Sequence, residues 1–173
     1  MRAADEDRFR EFARGNAVAL RRYGYLLCGD WQLAEDLVQT TLYKMYGAWP
    51  GIRGTDRPMS YARRTLTRCW LDERRRPWRR SEHHTDALPE VVDAAADPAV
   101  LQQRAGLRAE LATALATLAP QQRAVLVLRY FCDLTVAETG RELRCSEGTV
   151  RSQASRALKT LRDAELELES ELR

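Results

Sequence analysis

Glycine, histidine and cysteine are all scarce in this chain, and each scarcity removes a class of function. Nine glycines are spread over 173 residues, and none are grouped into a phosphate-cradling loop. The four cysteines, Cys28, Cys69, Cys132 and Cys145, lack the pair spacing of a zinc site or a redox motif. Their positions predict buried free thiols. The two histidines, His83 and His84, are neighbours, without the helical spacing that would aim both at one metal. No metal and no cofactor are expected. No Ser/Cys/His/Asp set suggests a nucleophilic enzyme. Apolar runs long enough to span a bilayer are also missing, as is a signal peptide. These features predict a cytoplasmic protein with reduced thiols and no membrane partner.

What the chain does have is amphipathic periodicity and an uneven distribution of charge. The formal net charge is only +3, yet Arg57 to Arg80 holds nine arginines against Asp72 and Glu73, a local balance of +7. Such density repels itself unless it is solvated or meets a polyanion. Helical spacing of apolar residues predicts an all-α chain of two small helical domains, residues 1–80 and 99–173, joined by an acidic linker, 81–98. The first helix spans about Glu6 to Cys28 and buries Phe9, Phe12, Leu20, Tyr23 and Leu27; Gly29 ends it. Asp30 caps a second helix, Trp31 to Trp49, which buries Ala34, Leu37, Val38, Thr41, Leu42, Met45 and Trp49. Pro50 and Gly51 are expected to break that helix, leaving 51–56 as a loop. A third helix opens at Pro58 and runs to about Arg76, with Tyr61, Leu66, Cys69 and Trp70 inward and arginines over the rest of its surface.

The second domain is predicted to begin at Asp97-Pro98. One helix reaches about Leu118, burying Leu101, Leu107, Leu111, Leu115 and Leu118. Another spans Gln121 to Phe131, with Val125, Leu126, Leu128 and Phe131 inward. From Leu134 to Arg162 the spacing predicts two helices at a tight turn. Thr135 caps the first, and Glu138 completes a capping box. Ser146 caps the second, whose apolar positions are Val150, Ala154, Ala157, Leu158 and Leu161. Its opposite side carries Arg151, Ser152, Ser155, Lys159 and Arg162, with Arg156 at the edge. A buried stripe beneath a polar, basic face suits a recognition helix, which must pack on its own domain while reaching bases and phosphates. Gly140 and Ala154 are small enough for the two helices to cross closely. An amphipathic hairpin with a solvated charged face is the plainer alternative. The caps and the order Gly-Thr-Val-Arg-Ser at 148–152 favour helix-turn-helix. The tail from Asp163 to Arg173 alternates Glu with Leu and reads as a solvated extension of the same helix.

Five motifs stand in a telling order: Leu-Cys-Gly-Asp at 27–30, Ala-Glu-Asp-Leu-Val-Gln at 34–39, Arg-Gly-x-Asp at 53–56, Leu-Asp-Glu-Arg-Arg-Arg at 71–76, and the helix-turn-helix. From about Phe9 to Arg162 the chain resembles the extracytoplasmic-function sigma factors, subunits that give bacterial RNA polymerase its promoter choice. Gln-Thr after Leu-Val, and Ser-Gln-Ala-Ser-Arg-Ala at 152–157, resemble the actinobacterial SigE-like subgroup. The resemblance implies that region 2 (1–80) binds the clamp helices of the largest polymerase subunit through Glu35, Asp36, Gln39 and Tyr43. The same region would melt the −10 element, with Arg53, Gly54 and Asp56 around a flipped base and Arg64, Arg68, Arg74, Arg75 and Arg76 beside or along the strand.

Region 4 (99–173) would read the −35 duplex. The resemblance places Ser152 and Arg156 among base-edge contacts and Thr149, Gln153 and Lys159 nearer phosphates, with Arg151 and Ser155 in the same first turns. It also implies contact with the flap of the second-largest polymerase subunit, promoter DNA as ligand, and an anti-sigma factor as a further partner. Two positions depart from the family pattern: Arg68 stands where many members carry Asn, and Arg144 where the turn commonly has Gly. A stand-alone helix-turn-helix regulator with a sensor domain is the competing expectation, but it leaves the arginine-rich third helix and the 34–39 motif without a role.

Overall fold

The computed structural model describes residues 3–52, 54, 58–75 and 98–171. All regular structure among them is helical, and the chain divides into two compact units, Met1–Val91 and Val92–Arg173. Residues 81–97 of the acidic linker and both histidines fall outside the described residues, whereas Pro98, assigned to the linker, opens a helix.

The first unit packs α1 (Ala3–Cys28), α2 (Trp31–Ile52) and α3 (Pro58–Arg75) around one core. Leu20, Tyr23 and Leu27 of α1 meet Leu37, Val38, Met45 and Trp49 of α2 and Leu66 and Trp70 of α3, all buried. Gly29 ends α1 at φ 76°, and the Asp30 carboxylate accepts from the Leu33 N–H at 2.7 Å, starting α2 as predicted. Gly24 lets the first two helices cross closely, since a Cβ there would lie 3.3 Å from that of Ala34. Tyr23 donates to the Thr67 hydroxyl, which donates onward to the Arg63 carbonyl at 2.8 Å, so one buried chain of hydrogen bonds ties α1 to α3. Phe9 and Phe12 close the core over Trp49, with ring centroids 5.2 and 5.4 Å away.

The break expected at Pro50 does not occur, because α2 runs through it to Ile52. A proline in a helix withholds one N–H from the carbonyl four residues earlier. Pro50 is exposed and lies two residues before the end of α2, so only one bond of the final turn is lost. The thiols also differ from expectation: all four are free but only half-buried. On α3 Arg63, Arg64 and Arg68 are half-buried rather than splayed on the surface; Arg74 and Arg75 are exposed.

The second unit contains α4 (Pro98–Ala116), α5 (Pro120–Leu126) continued by a π-helical turn (Val127–Phe131), α6 (Val136–Leu143) and α7 (Glu147–Glu171). Only the last turns of α4 reach the core, where Ala112 and Leu115 are buried, followed by buried Leu118 just past the helix end. Leu107, expected inside, is 67% exposed. It continues the leucine stripe but lies beyond the reach of the other helices. Buried Arg123 donates from Nε to the Leu115 carbonyl and so satisfies an end group of α4.

The π turn displaces Phe131. Its Cys132 N–H reaches back five residues to the Val127 carbonyl, at 3.1 Å. One extra residue in a turn rotates the next side chains by roughly 100°. Phe131, predicted inward, is therefore 46% exposed, while Val127 is fully buried.

Candidate nucleic-acid interface

The helix-turn-helix forms at the predicted residues because its boundaries are set by short-range hydrogen bonds. Thr135 Oγ1 accepts from the Glu138 N–H at 3.2 Å, and the Glu138 carboxylate accepts from the Thr135 N–H at 2.9 Å. That reciprocal pair is a capping box at the start of α6. Ser146 Oγ accepts from the Thr149 N–H at 3.1 Å and starts α7. Between the helices Arg144 takes up a left-handed conformation, φ 55° and ψ 47°. Gly140 sits at the crossing, where a Cβ would fall 2.8 Å from the Cys145 carbonyl oxygen. Burial pushes the Cys145 thiol above its ordinary value of 9.0.

Helix α7 is divided lengthwise. Val150 and Ala157 are wholly buried, with Ala154 and Leu161 half-buried beside them. Leu158, expected in that stripe, is 41% exposed on its flank, because the packed side is only about one residue wide there. Ser152 is followed three and four residues on by Ser155 and Arg156, and these in turn by Lys159, all on the opposite, exposed side. Thr149 is exposed and shares its hydroxyl with Ser146 at 2.9 Å. Gln153 is half-buried at one edge, and Arg151 is exposed but paired with Glu147 at 2.8 Å. A pair of this kind contributes only about 0.3–0.5 kcal/mol and can be exchanged for a stronger acceptor.

In the first unit the 34–39 motif separates into two environments. Asp36, Gln39 and Tyr43 are exposed, Tyr43 by 81%. Glu35 is half-buried and lies 3.2 Å from Arg21 Nε, a pair held by charge without hydrogen-bond alignment. Arg21 also covers the ring of Trp31, 5.1 Å from its centroid. Sequence reasoning had no means of finding this ion pair, since Arg21 belongs to the preceding helix. Of the 53–56 motif only Gly54 is described, and it is exposed; Arg53, Asp56 and Arg76 fall outside the described residues. Among the described residues no cluster of His, Cys, Asp and Glu could hold a metal, and no helix is long and apolar enough to cross a membrane.

Residues 12–80 match the family model described as Sigma-70 region 2, and residues 108–161 match that for Sigma-70, region 4. The chain is 37% identical over 162 residues to the RNA polymerase sigma-E factor of Streptomyces avermitilis, spanning 94% of this chain and 86% of that protein. It is 31% identical to the ECF RNA polymerase sigma factor SigL of Mycobacterium tuberculosis, across 92% of this chain and 90% of the relative. The chain belongs to the extracytoplasmic-function sigma factors.

As a sigma factor it is a specificity subunit for transcription initiation. Its fold is similar to that of solved sigma factors. CnrH, in complex with the cytosolic domain of CnrY, gives a TM-score of 0.64 at 21% identity, covering 94% of this chain and 90% of CnrH. RpoE of Bartonella quintana, in complex with the anti-sigma factor NepR, gives 0.66 at 21% identity, covering 90% and 94%. Relatives that match along nearly the whole chain leave a stand-alone regulator without support.

Proposed function

We propose that this sigma factor divides promoter recognition between its two units, with residues 1–80 handling core binding and the −10 element, 81–98 linking, and 99–173 reading the −35 duplex. The family matches at 12–80 and 108–161 support those boundaries. The lengthwise division of α7 carries the reading: Val150 and Ala157 are locked in the core, while Ser152, Ser155, Arg156 and Lys159 face outward. Arg156 and Ser152 then read base edges, Arg156 being able to grip the two acceptors of guanine. Thr149, Gln153 and Lys159 hold phosphates, and Arg151 joins them once released from Glu147.

In the first unit Asp36, Gln39 and Tyr43 dock on the clamp helices of the largest polymerase subunit, with Glu35 contributing from the edge while Arg21 holds it. Arg53, Gly54 and Asp56 receive a flipped −10 base; Arg64 and Arg68 flank it, and Arg74, Arg75 and Arg76 follow the backbone. Region 4 also meets the flap of the second-largest subunit. An anti-sigma protein is a further partner, a reading supported by the solved complexes of the fold relatives. The protein has no catalytic chemistry of its own.

Run-off transcription with core RNA polymerase and promoter fragments, together with start-site mapping, tests the whole reading. The expected result is a set of start sites sharing one pair of upstream elements. Start sites unchanged from those of core polymerase alone would overturn it.

A further inference from the structure

Arg144 ends α6 in a conformation that costs nothing to glycine and raises the energy of any residue with a Cβ. Its backbone N–H donates to the Gly140 carbonyl, a bond glycine would make equally well. The turn therefore does not need this side chain. Its surroundings suggest what does. Arg144 is exposed on the wall of an open depression of about 740 Å³, formed by one side of α6 together with Ser146 and Glu147 at the start of α7.

Arg141, which is exposed, stands three residues earlier on the same wall. Among the described residues neither arginine forms an ion pair. The carboxylate in the depression, Glu147, is already tied to Arg151 at 2.8 Å. Two uncompensated guanidinium groups thus flank the first turn of α7. The close crossing at Gly140 holds them there, since a Cβ at that position would strike the Cys145 carbonyl.

We propose that Arg144 and Arg141 bind a backbone phosphate of duplex DNA at the lip of the major groove that α7 enters. This rests on the reading of α7 as the base-reading helix. A guanidinium presents paired N–H donors that match two phosphate oxygens. Phosphate contacts fix register and orientation without selecting sequence. A clamp immediately before α7 sets how Arg156 meets the bases, and it accounts for an arginine at a position where the backbone favours glycine.

Holoenzyme assembled from the full chain and core RNA polymerase is titrated with promoter duplexes over a range of salt, and each free variant is melted. Arg144→Gly is expected to melt no lower than the parent, to bind every −35 sequence more weakly by a similar factor, and to lower the salt slope by about one unit. Arg144→Lys, which keeps the charge, should retain most of the slope; Arg141→Ala should reduce it. Arg144→Gly with the parent's affinity and slope would overturn the proposal, as would a change in its base preference. Arg156→Ala, measured alongside, reports on base reading separately: unchanged preference there defeats the assignment of α7, whereas the clamp is judged by the slope at position 144.

Discussion

Arg156 and Lys159 are neighbours on the exposed side of α7, yet their chemistry separates their roles. A planar fork can discriminate one base, whereas a flexible ammonium meets a phosphate as a point charge. Arg156→Ala should cost about 1–3 kcal/mol on the preferred −35 duplex and relax selection at one position, measured against a library of duplexes. Lys159→Ala should weaken all members alike. The same contrast applies to α2. Asp36 is exposed and Glu35 is engaged by Arg21, so Asp36→Arg should sharply weaken core binding while leaving helicity and melting unchanged. An affinity for core like that of the parent would remove Asp36 from the interface. Cys145 offers a test by pH. Its folded thiol ionises above its ordinary value of 9.0, so the unfolded chain releases that proton first. The thiol's contribution to stability is complete below that ordinary value and is lost as pH rises through the folded one. Denaturant titrations should lose less stability across this alkaline window in Cys145→Ala than in the parent.

At the scale of the element, the two caps and the crossing at Gly140 make the helix-turn-helix a unit whose parts fail together. Ser146→Ala removes the acceptor for the Thr149 N–H and should cost about 1 kcal/mol. Because the first turn of α7 frays with it, DNA affinity should fall alongside the melting temperature. Gly140→Ala sets a methyl group against backbone, which has little room to move, and should cost about 1–3 kcal/mol. These boundaries were legible in the sequence because a cap is a contact between residues two or three apart. The π turn after α5 was not. Nothing local in Val127–Phe131 specifies an extra residue in that turn, and its consequence, Phe131 outside and Val127 inside, appears only when the packed helices are in place. Pro50 misled for a related reason: a proline's cost depends on how near the end of a helix it falls, and the residue type does not state where the helix ends.

At the scale of the whole molecule, the two helical units are proposed to carry different parts of the promoter task. Arg74 and Arg75 are exposed at the end of α3, with Arg75 only 3.9 Å from Asp72. Neutralising Arg74, Arg75 and Arg76 should lower the salt dependence of promoter opening by about one unit of slope for each phosphate no longer gripped, with little change in −10 preference. A retained slope with altered preference would instead make them base readers. The helical class, the caps, the outward basic side of α7 and the motifs that mark the family could all be read along the chain, since each depends on neighbours within a turn or on residue order. Leu107, Leu158 and Phe131 followed the helical period and still lie outside, and Glu35 shared a polar stripe and is nevertheless held by Arg21. Periodicity says which side of a helix can be buried. How far along that side a partner extends, and which charge from another helix arrives there, depend on contacts between residues distant in sequence.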